Sequence, residues 1–368
     1  MRLALRELRR STRRFVPTTA ALALLVMLLL FLGGLLDGLY LGSTGALRAQ
    51  DADLVVYSDA SRDSVIRSRI DAPLRAEIES VAGVRATYGL GFALVGARVP
   101  GESELADTAV VGYQGAVSGV PAPPPPGQAW ADRQLEAFGV EQGDRLLLGP
   151  ARVPVTVRGF VEDTNFLQQG GLWVEPETWR EVLTKSRPGA AVGPGTFQVV
   201  TVRTDPGANP ETVAKRIDAA TAGATKTLTT DDAVLAIPGI KEQNAVFTQI
   251  IWVTLFVAGL VVALFFALLT LERIGIFAVL KAIGASSRQL IASLFTQALV
   301  VSGVAFALGA AVALLLSLAI PPQVPLQLTV PRAVFVAVGV LLMALVGGAI
   351  SLRRIIKVDP ASVIGVGV

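Results

Sequence analysis

Four long runs without a charged residue constrain the fold of this chain more than any other feature. They cover residues 15–36, 245–271, 290–331 and 333–352. Each is long enough for the roughly 20 apolar residues with which a helix crosses the hydrocarbon core of a bilayer. Hydrophobic residues make up 52% of the sequence and charged residues only 17%, which is little charge for the surface of a soluble protein. The sequence therefore predicts an α-helical membrane protein with four transmembrane helices.

The order of the runs predicts a 1+3 arrangement, in which one span precedes a large water-exposed domain and three spans follow it. In chain order the expected parts are a basic N-terminus (1–14), the first span (15–40), an α+β domain (41–244), the second span (245–271), an amphipathic segment (272–289), the third span (290–319), a short outer loop (320–332), the fourth span (333–352) and a tail (353–368). The first run also suits the apolar part of a cleaved signal peptide. Its length, and the absence of a small-residue cleavage site soon after it, favour an uncleaved anchor.

The positions of lysine and arginine predict the orientation, because short cytoplasmic segments of membrane proteins are enriched in these residues. Twelve cations lie in the three segments that precede the first run, separate the second from the third and follow the fourth: Arg2, Arg6, Arg9, Arg10, Arg13, Arg14, Arg273, Lys281, Arg288, Arg353, Arg354 and Lys357. All of them lie on one side of the predicted membrane, which places both termini and residues 272–289 in the cytoplasm. The 41–244 domain is then outside the plasma or inner membrane. Since membrane orientation accounts for the basic residues and the outer domain is acidic, the net charge of +3 does not indicate nucleic-acid binding.

Residues 41–244 show the patterns of two β-α-β units that bracket an insertion. The first unit is predicted as a strand at 53–57, a helix at 73–81 and an extended segment at 84–99. The second is predicted as a strand at 197–203, a helix that Asn209 caps and Pro210 begins, and a strand at 224–228. The insertion lobe, at about 108–181, is predicted to hold a stiff proline-rich loop at 121–127, a short helix at 132–138 and strands at 145–148, 153–160 and 172–174. Trp173 and Trp179 are expected in its core.

The residue types that carry most enzyme chemistry are missing from this sequence. It contains no His and no Cys, so the commonest general base and metal ligand, thiolate nucleophiles and disulfides are excluded. The adjacent acids Glu162–Asp163 and Asp231–Asp232 are interpreted as solvated caps. We therefore expect a protein that is not an enzyme and has neither a metal nor a cofactor of its own.

Small residues recur every four positions on two of the spans. On the first span these are Gly34, Gly38 and Gly42. Small residues at this spacing allow two helices to approach closely in lipid, and we interpret this stripe as the seam of a homodimer. The third span has Ala305, Gly309 and Ala313. For the third span the sequence leaves two explanations open: a close contact between helices, or the general abundance of Gly and Ala in membrane helices.

Residues 272–289 predict an amphipathic helix at the inner membrane surface, followed by a bend at 284–287. A docking element for a cytoplasmic partner is the sharper hypothesis. The sequence contains no G-x-x-x-x-G-K-[ST] phosphate loop, so an ATPase that drives this protein would be another polypeptide.

The segment Leu271-Glu272-Arg273, continued by Phe277-Ala-Val-Leu-Lys281-Ala-Ile-Gly284-Ala285, resembles the "ER..E.A.LKAIGAS" elbow of the FtsX/MacB-like (type VII) ABC transporter permeases. Weaker matches are residues 3–10 before the first span and 353–361 after the last one. The resemblance implies an outer domain of the MacB periplasmic-core type, a second permease copy in a homodimer, and a cytoplasmic ABC ATPase dimer that binds ATP and Mg. Contact with that ATPase is expected at Glu272, Arg273, Phe277, Lys281, Gly284 and Ala285. Gly275 and Ile276 stand where many members have a second Glu, which leaves the charge partner on the ATPase open.

Within this family, residues 237–243 (Ile-Pro-Gly-Ile-Lys-Glu-Gln) are similar to the "IPGY.EQ" segment of haem-efflux and DevC-type permeases, with Ile240 in place of Tyr. The resemblance implies that a flat amphiphile such as haem enters from the outer leaflet between the first and second spans. Tyr40 and Glu242, next to Gln243, would then offer oxygen ligands to iron, and Phe31 and Phe247 would stack on the ring. The alternative is that Glu242 is a capping or snorkelling residue and Tyr40 an interfacial aromatic.

Two functions follow from the resemblance. The first is the permease subunit of an ABC exporter that uses ATP hydrolysis by a separate ATPase to move a lipophilic or amphipathic substrate, such as haem, outward from the membrane. The alternative is an FtsX-type mechanotransmission subunit that controls an extracytoplasmic cell-wall hydrolase or sensor. The proline-rich insertion and the acidic outer surface suit a protein partner of this second kind.

Overall fold

The computed structural model describes residues 12–272, 287–321 and 324–356. The helices are α1 (Thr12–Arg48), α2 (Ala72–Glu79), α3 (Pro176–Ser186), α4 (Pro210–Ala220), α5 (Thr230–Leu235), α6 (Ile240–Glu272), α7 (Ser287–Ser317) and α8 (Val330–Ile356). The strands are β1 (Leu54–Ser58), β2 (Val84–Arg98), β3 (Leu105–Tyr113), β4 (Gln128–Asp132), β5 (Arg145–Leu148), β6 (Val153–Val161), β7 (Gly170–Val174), β8 (Val199–Thr204) and β9 (Thr225–Thr229). Short 3-10 turns lie at Asp59–Ser61, Arg133–Phe138 and Pro188–Ala190.

The chain forms two compact units. The helical unit comprises Met1–Gly38 and Asn244–Val368, and the sheet unit comprises Leu39–Gln243. Helices α1 and α6 each continue from one unit into the other. The arrangement of one long apolar helix before the mixed domain and further apolar helices after it agrees with the fold class expected from the sequence.

Four strands of the sheet unit form an antiparallel sheet in the order β2-β8-β1-β9. The units β1-α2-β2 and β8-α4-β9 confirm the two predicted β-α-β patterns, which together give the split topology of β-α-β-β-α-β folds. Side chains alternate between the two faces of a strand. Leu54 and Val56 therefore pack against α2 and α4, whereas Val55 and Tyr57 belong to a second core on the opposite face.

The insertion lobe is a closed six-stranded barrel. Strand β2 pairs with β3, β3 with β7, β7 with β4, β4 with β6, β6 with β5, and β5 with β2 again. One half of β2, residues 84–90, pairs with β8, and the other half, residues 90–98, belongs to the barrel. The 15-residue length of β2 thus makes it the shared strand of both sheets.

The sequence located the barrel strands β5, β6 and β7 and the short helix before β5, which is a 3-10 turn. It missed β3, β4 and α3. Trp173 and Trp179 are fully buried, as expected. Trp179 on α3 lies where Gly91 and Gly112 leave space for its ring, because a Cβ on either glycine would overlap it. The proline-rich run has neither helix nor strand, as predicted.

Three helices contain a described stretch that is long and apolar enough to cross a membrane: Phe15–Arg48, Ile240–Leu264 and Phe295–Ser317. Helix α8 has 27 residues, but its described apolar part, Val330–Val346, is shorter, so the fourth span stays a prediction. Many large apolar side chains of these helices are exposed on the protein, such as Val253, Phe256 and Leu264. Lipid tails are natural surroundings for such a surface.

Candidate functional site

An ion pair between Asp37 and Arg332 connects two helices of the helical unit. Asp37 lies on α1 directly after the first uncharged run, and Arg332 lies in the first turn of α8. The Nη2 atom of Arg332 is 2.5 Å from Oδ1 of Asp37, and its Nε is 3.3 Å from Oδ2. Thr329 donates its hydroxyl to the same Oδ2 over 2.7 Å. The two charged side chains are only 16% and 22% exposed, so each is the principal countercharge of the other.

Residues 324–329, here called the connecting segment, lie along the glycines of α1 in the same unit. The backbone N–H of Gln327 donates to the carbonyl oxygen of Gly34 over 3.0 Å. A Cβ at Gly34 would lie 2.9 Å from Leu328, and one at Gly38 would overlap the carbonyl oxygen of Pro325. At Gly33 a Cβ would meet the aliphatic stem of Arg332. The glycines thus form a groove that the connecting segment fills.

The stripe of Gly34, Gly38 and Gly42, predicted as a dimer seam, is therefore used within the chain. In the sheet unit, Gly42 is covered by the side chain of Gln168, whose amide atoms would lie about 3 Å from a Cβ at that position. The spacing correctly indicated close approach, but the partner of the approach is a segment of the same polypeptide. The homodimer and a seam at these three glycines stay predictions.

The small residues of the third span also serve a close contact. A Cβ at Gly309 on α7 would lie 2.5 Å from the carbonyl oxygen of Ala23 on α1, and 2.8 Å from Val26. Ala305 and Ala313 are fully buried. Of the two interpretations that the sequence left open, the structure supports close helix packing.

Phe31 and Phe247 each pack against one apolar cluster of the helical unit. Both rings are partly buried against a core that includes Leu30, Ile251 and Val340. In the same unit, Trp252 on α6 meets Phe335 on α8 edge to face, with ring centroids 6.2 Å apart. The cluster provides an apolar, aromatic surface on α1 and α6. Whether it binds a substrate ring stays a prediction.

Tyr40, Glu242 and Gln243 belong to the sheet unit. Tyr40 packs against the core that also contains Ile237 and Ile240, and the guanidinium carbon of Arg48 lies 5.8 Å from the centre of its ring. Glu242 and Gln243, in the first turn of α6, are exposed. Their role as ligands of a cargo stays a prediction. Among the residues that the structure describes, no group of three or more acidic side chains is arranged to hold a metal ion.

The proposed ATPase contact lies largely outside the described residues. This applies to Arg273, Phe277, Lys281, Gly284 and Ala285, whereas Glu272 is the last residue of α6. The elbow, which is the most specific part of the sequence resemblance, thus lies almost entirely outside the described residues.

Sequence reasoning missed the Asp37–Arg332 pair, although a signal was present. Asp37 follows the first uncharged run directly, and Arg332 alone interrupts the last two runs. A charge next to or within a membrane segment predicts a partner of opposite sign, but the sequence does not say which of many charges it is.

The C-terminal part of the chain resembles known proteins. Residues 249–360 match the FtsX-like permease C-terminal family. A protein of Staphylococcus epidermidis (strain ATCC 12228 / FDA PCI 1200), named as the hemin transport system permease HrtB, is 28% identical over 142 residues, which are 39% of this chain and 41% of that protein. An uncharacterized ABC transporter permease of Mycobacterium tuberculosis (strain ATCC 25618 / H37Rv) is 35% identical over 126 residues, 34% of either chain. The matches thus span about two fifths or less of these relatives.

Among solved structures, the periplasmic region of MacB from Actinobacillus actinomycetemcomitans is similar at a TM-score of 0.36 and 13% identity, over 50% of this chain and 90% of that one. The recognition drawn from the elbow motif agrees with the family that residues 249–360 match. Residues 249–360 of this chain are therefore similar to the C-terminal domain of FtsX-like permeases.

Proposed function

We propose that this chain is the permease subunit of an ABC transporter that exports a lipophilic or amphipathic substrate. The observation that carries this proposal is the FtsX-like permease domain at residues 249–360, which includes most of α6 and all of α7 and α8. Three helices of membrane-spanning length and a folded domain of about 200 residues between the first two of them are consistent with such a subunit. The acidic sheet unit would face the outside, with both termini in the cytoplasm.

The energy source would be a separate ATPase. The sequence lacks a phosphate loop, and its apolar helices have no nucleotide chemistry of their own. An ATPase dimer that binds ATP and Mg would contact residues 272–285 and transmit its closure to the helices. A second copy of this chain would complete a transporter of two permeases and two ATPases.

We infer haem as the cargo to test first. The similarity to a protein named for hemin transport supports this choice. The partly buried rings of Phe31 and Phe247 belong to α1 and α6, the two helices between which the cargo would enter. A flat apolar ring stacks favourably on such aromatic side chains. Tyr40 and Glu242 would provide oxygen ligands at the edge of the sheet unit.

One observation favours mechanical signalling as a second candidate function. The proline-rich run at 121–126 is exposed except for Pro124, and its first two residues are fixed to the barrel, where Pro121 accepts a hydrogen bond from Tyr113 and Ala122 one from Trp130. Extended proline-rich segments present an ordered surface to protein partners at low entropic cost. An extracytoplasmic hydrolase or sensor would bind there, and no substrate would cross the membrane.

Replacing Ala285 with Asp should abolish export without removing the protein from the membrane. A carboxylate among the small residues 284–287, where the sequence predicts a bend, adds a charge that has to lose its water at the expected ATPase contact. We expect cells that produce the chain and its ATPase to survive haemin at concentrations that stop the growth of cells without them. The Ala285→Asp variant should be as sensitive as cells without the transporter. Growth in haemin and the amount of chain in membranes are the two measurements.

The matched control is Ala219→Asp on the exposed surface of α4 in the sheet unit, which adds the same charge outside the expected ATPase contact and should leave haemin resistance unchanged. Resistance that survives Ala285→Asp, with the ATPase still bound, would contradict the assignment of the elbow. Loss of a cell-wall hydrolase activity on deletion of the chain, with haemin resistance unaffected, would favour mechanical signalling instead.

A further inference from the structure

The loop between β6 and β7, residues 163–169, has an unusual backbone for a segment without glycine. Asp163, Leu167 and Gln168 have φ angles of 55°, 52° and 64°. Side chains with a Cβ rarely adopt this left-handed region, and Leu does so less readily than Asn or Asp. Such conformations persist where surrounding contacts enforce them. The loop is therefore held in a strained shape by what it touches.

The first end of the loop is fixed to the barrel by a buried carboxylate. Asp132, at the end of β4, is 2% exposed and accepts hydrogen bonds from the backbone N–H and the hydroxyl of Thr164, at 2.8 and 2.7 Å. Burial raises the pKa of Asp132, although these bonds and one from the N–H of Gln134 oppose the change. The other end of the loop leads directly into β7. The loop is thus a rigid projection of the barrel.

This projection is bound to the last turns of α1 by backbone hydrogen bonds. The N–H of Ala46 donates to the oxygen of Asn165 over 2.9 Å, and the N–H groups of Leu167 and Gln168 donate to the oxygens of Ser43 and Gly42 over 3.2 and 3.0 Å. A Cβ at Gly45 would lie 2.6 Å from the oxygen of Asp163. Only a residue without a side chain fits there.

Two side chains reinforce the grip. The Nε2 atom of Gln168 donates to the oxygen of Leu39 over 2.7 Å and to the hydroxyl of Ser43 over 2.8 Å. Arg48 donates to the carboxylate of Asp163 over 2.6 Å. Beyond the loop, the N–H of Ser118 after β3 donates to the oxygen of Ala49 over 2.7 Å. Helix α1 is therefore bonded to the barrel over three turns.

The start of α6 has a different attachment in the same unit. Apart from the bonds within helix α6 itself, the backbone hydrogen bonds of residues 237–243 in the described chain reach only residues 234–243. Gly239 has φ 86°, and a Cβ there would meet nothing within 4 Å. Among residues 237–243, only Ile237 and Ile240 are buried in the core. A Pro-Gly turn held mainly by apolar contacts can change direction at lower cost than a helix held by a lattice of hydrogen bonds.

We propose that residues 163–169 form a clamp through which the barrel moves as one body with the end of α1, while α6 enters the sheet unit through a hinge at Pro238–Gly239. Gln168 and Asp163 are the positioning residues of this clamp. The inference rests on the proposed transport function, in which ATPase strokes reach the outer domain through these two helices. It assigns the rigid connection to α1 and the flexible connection to α6.

Hydrogen–deuterium exchange of the full chain in lipid nanodiscs tests the clamp itself. The amides of Leu167 and Gln168 should exchange slowly, both in the chain alone and in the complex with its ATPase trapped with ADP and vanadate. The amides of residues 239–242 should change their exchange between the two states. Fast exchange at Leu167 and Gln168 in either state, or nucleotide-dependent exchange there, would overturn the proposal.

The double variant Asp163→Asn/Gln168→Asn tests whether the clamp is used. Asn tolerates the left-handed backbone at both positions, but it removes the charge at residue 163 and shortens the side chain at residue 168 by one methylene. We expect the exchange rates of the amides at positions 167 and 168 to rise about tenfold. A tenfold rise corresponds to the loss of roughly one net hydrogen bond. Haemin export should fall while ATP hydrolysis stays within about twofold of the unmodified complex, since the coupling and not the ATPase is altered.

The matched control is Gln142→Asn. Gln142 also belongs to the barrel and donates its amide to a backbone oxygen, that of Arg158, over 2.9 Å. It should affect neither the exchange at residues 167–168 nor export. Normal export by the double variant, or an equal loss of export and ATP hydrolysis, would overturn the role of the clamp. If the unmodified complex exports no haemin, the proposed function fails instead, and the exchange measurement still reports on the clamp.

Discussion

The Gly38→Ala variant should be strongly destabilised although it adds a single methyl group. A Cβ at this position on α1 would overlap the carbonyl oxygen of Pro325 and lie 2.5 Å from its carbonyl carbon, and backbone atoms cannot rotate away as a side chain would. The connecting segment would have to leave its groove, with loss of the bond from Gln327 to Gly34. Overpacking of this kind costs up to about 3 kcal/mol, and we expect the melting temperature to fall by roughly 5–10 °C.

Thermal unfolding of the full chain in lipid nanodiscs, followed by tryptophan fluorescence, measures this change. The matched control is Gly303→Ala on α7, another membrane helix, where a Cβ would meet nothing within 4 Å. Because Ala has the higher helix propensity by about 1 kcal/mol, this variant should be as stable as the parent or slightly more stable. Equal effects of the two substitutions would show that the groove is not occupied by the connecting segment.

The glycines of α1 show how much of the helical unit could be predicted from the sequence. Their spacing correctly predicted that another backbone comes close, since a small-residue stripe has few other uses in a membrane helix. It could not identify that backbone, because a close approach within a chain and one between two chains require the same small residues. The connecting segment follows Gly38 by nearly 290 residues, and no local pattern records such a pairing.

In the sheet unit, too, local features could be predicted from the sequence, whereas pairings between distant residues could not. Asn209 and Pro210 marked the start of α4 because capping chemistry is local, and the Asn209 side chain does accept from the N–H of Thr212. The closure of the barrel depends instead on pairing between β2 and β5, which joins Ala97 to Leu148. The strained loop at 163–169 was also not predicted, since Leu167 and Gln168 carry no residue signature of a left-handed backbone.

The largest electrostatic effect is expected from separating Asp37 and Arg332. Asp37→Asn keeps the shape and an acceptor for Thr329, but it leaves a guanidinium that is 22% exposed without its countercharge. Arg332→Met keeps the apolar stem over Gly33 and leaves the carboxylate alone. Breaking a buried pair costs about 3–5 kcal/mol, and partial exposure reduces this to about 2–3 kcal/mol for each single variant.

The double variant Asp37→Asn/Arg332→Met should be more stable than either single variant, because neither charge is then left without a partner. A double-mutant cycle on unfolding free energies should give a coupling of about 1–3 kcal/mol. The comparison pair is Glu181 and Lys185 on the surface of α3, with an N–O distance of 2.6 Å but side chains about half exposed. Its cycle should give at most about 0.5 kcal/mol, since water screens exposed helix pairs. The shortest N–O distances, 2.5 and 2.6 Å, would by themselves rank the two pairs as nearly equal. A small coupling at Asp37 and Arg332 would therefore mean that water or lipid headgroups reach these charges, and that the bond between α1 and α8 does not hold the helical unit together.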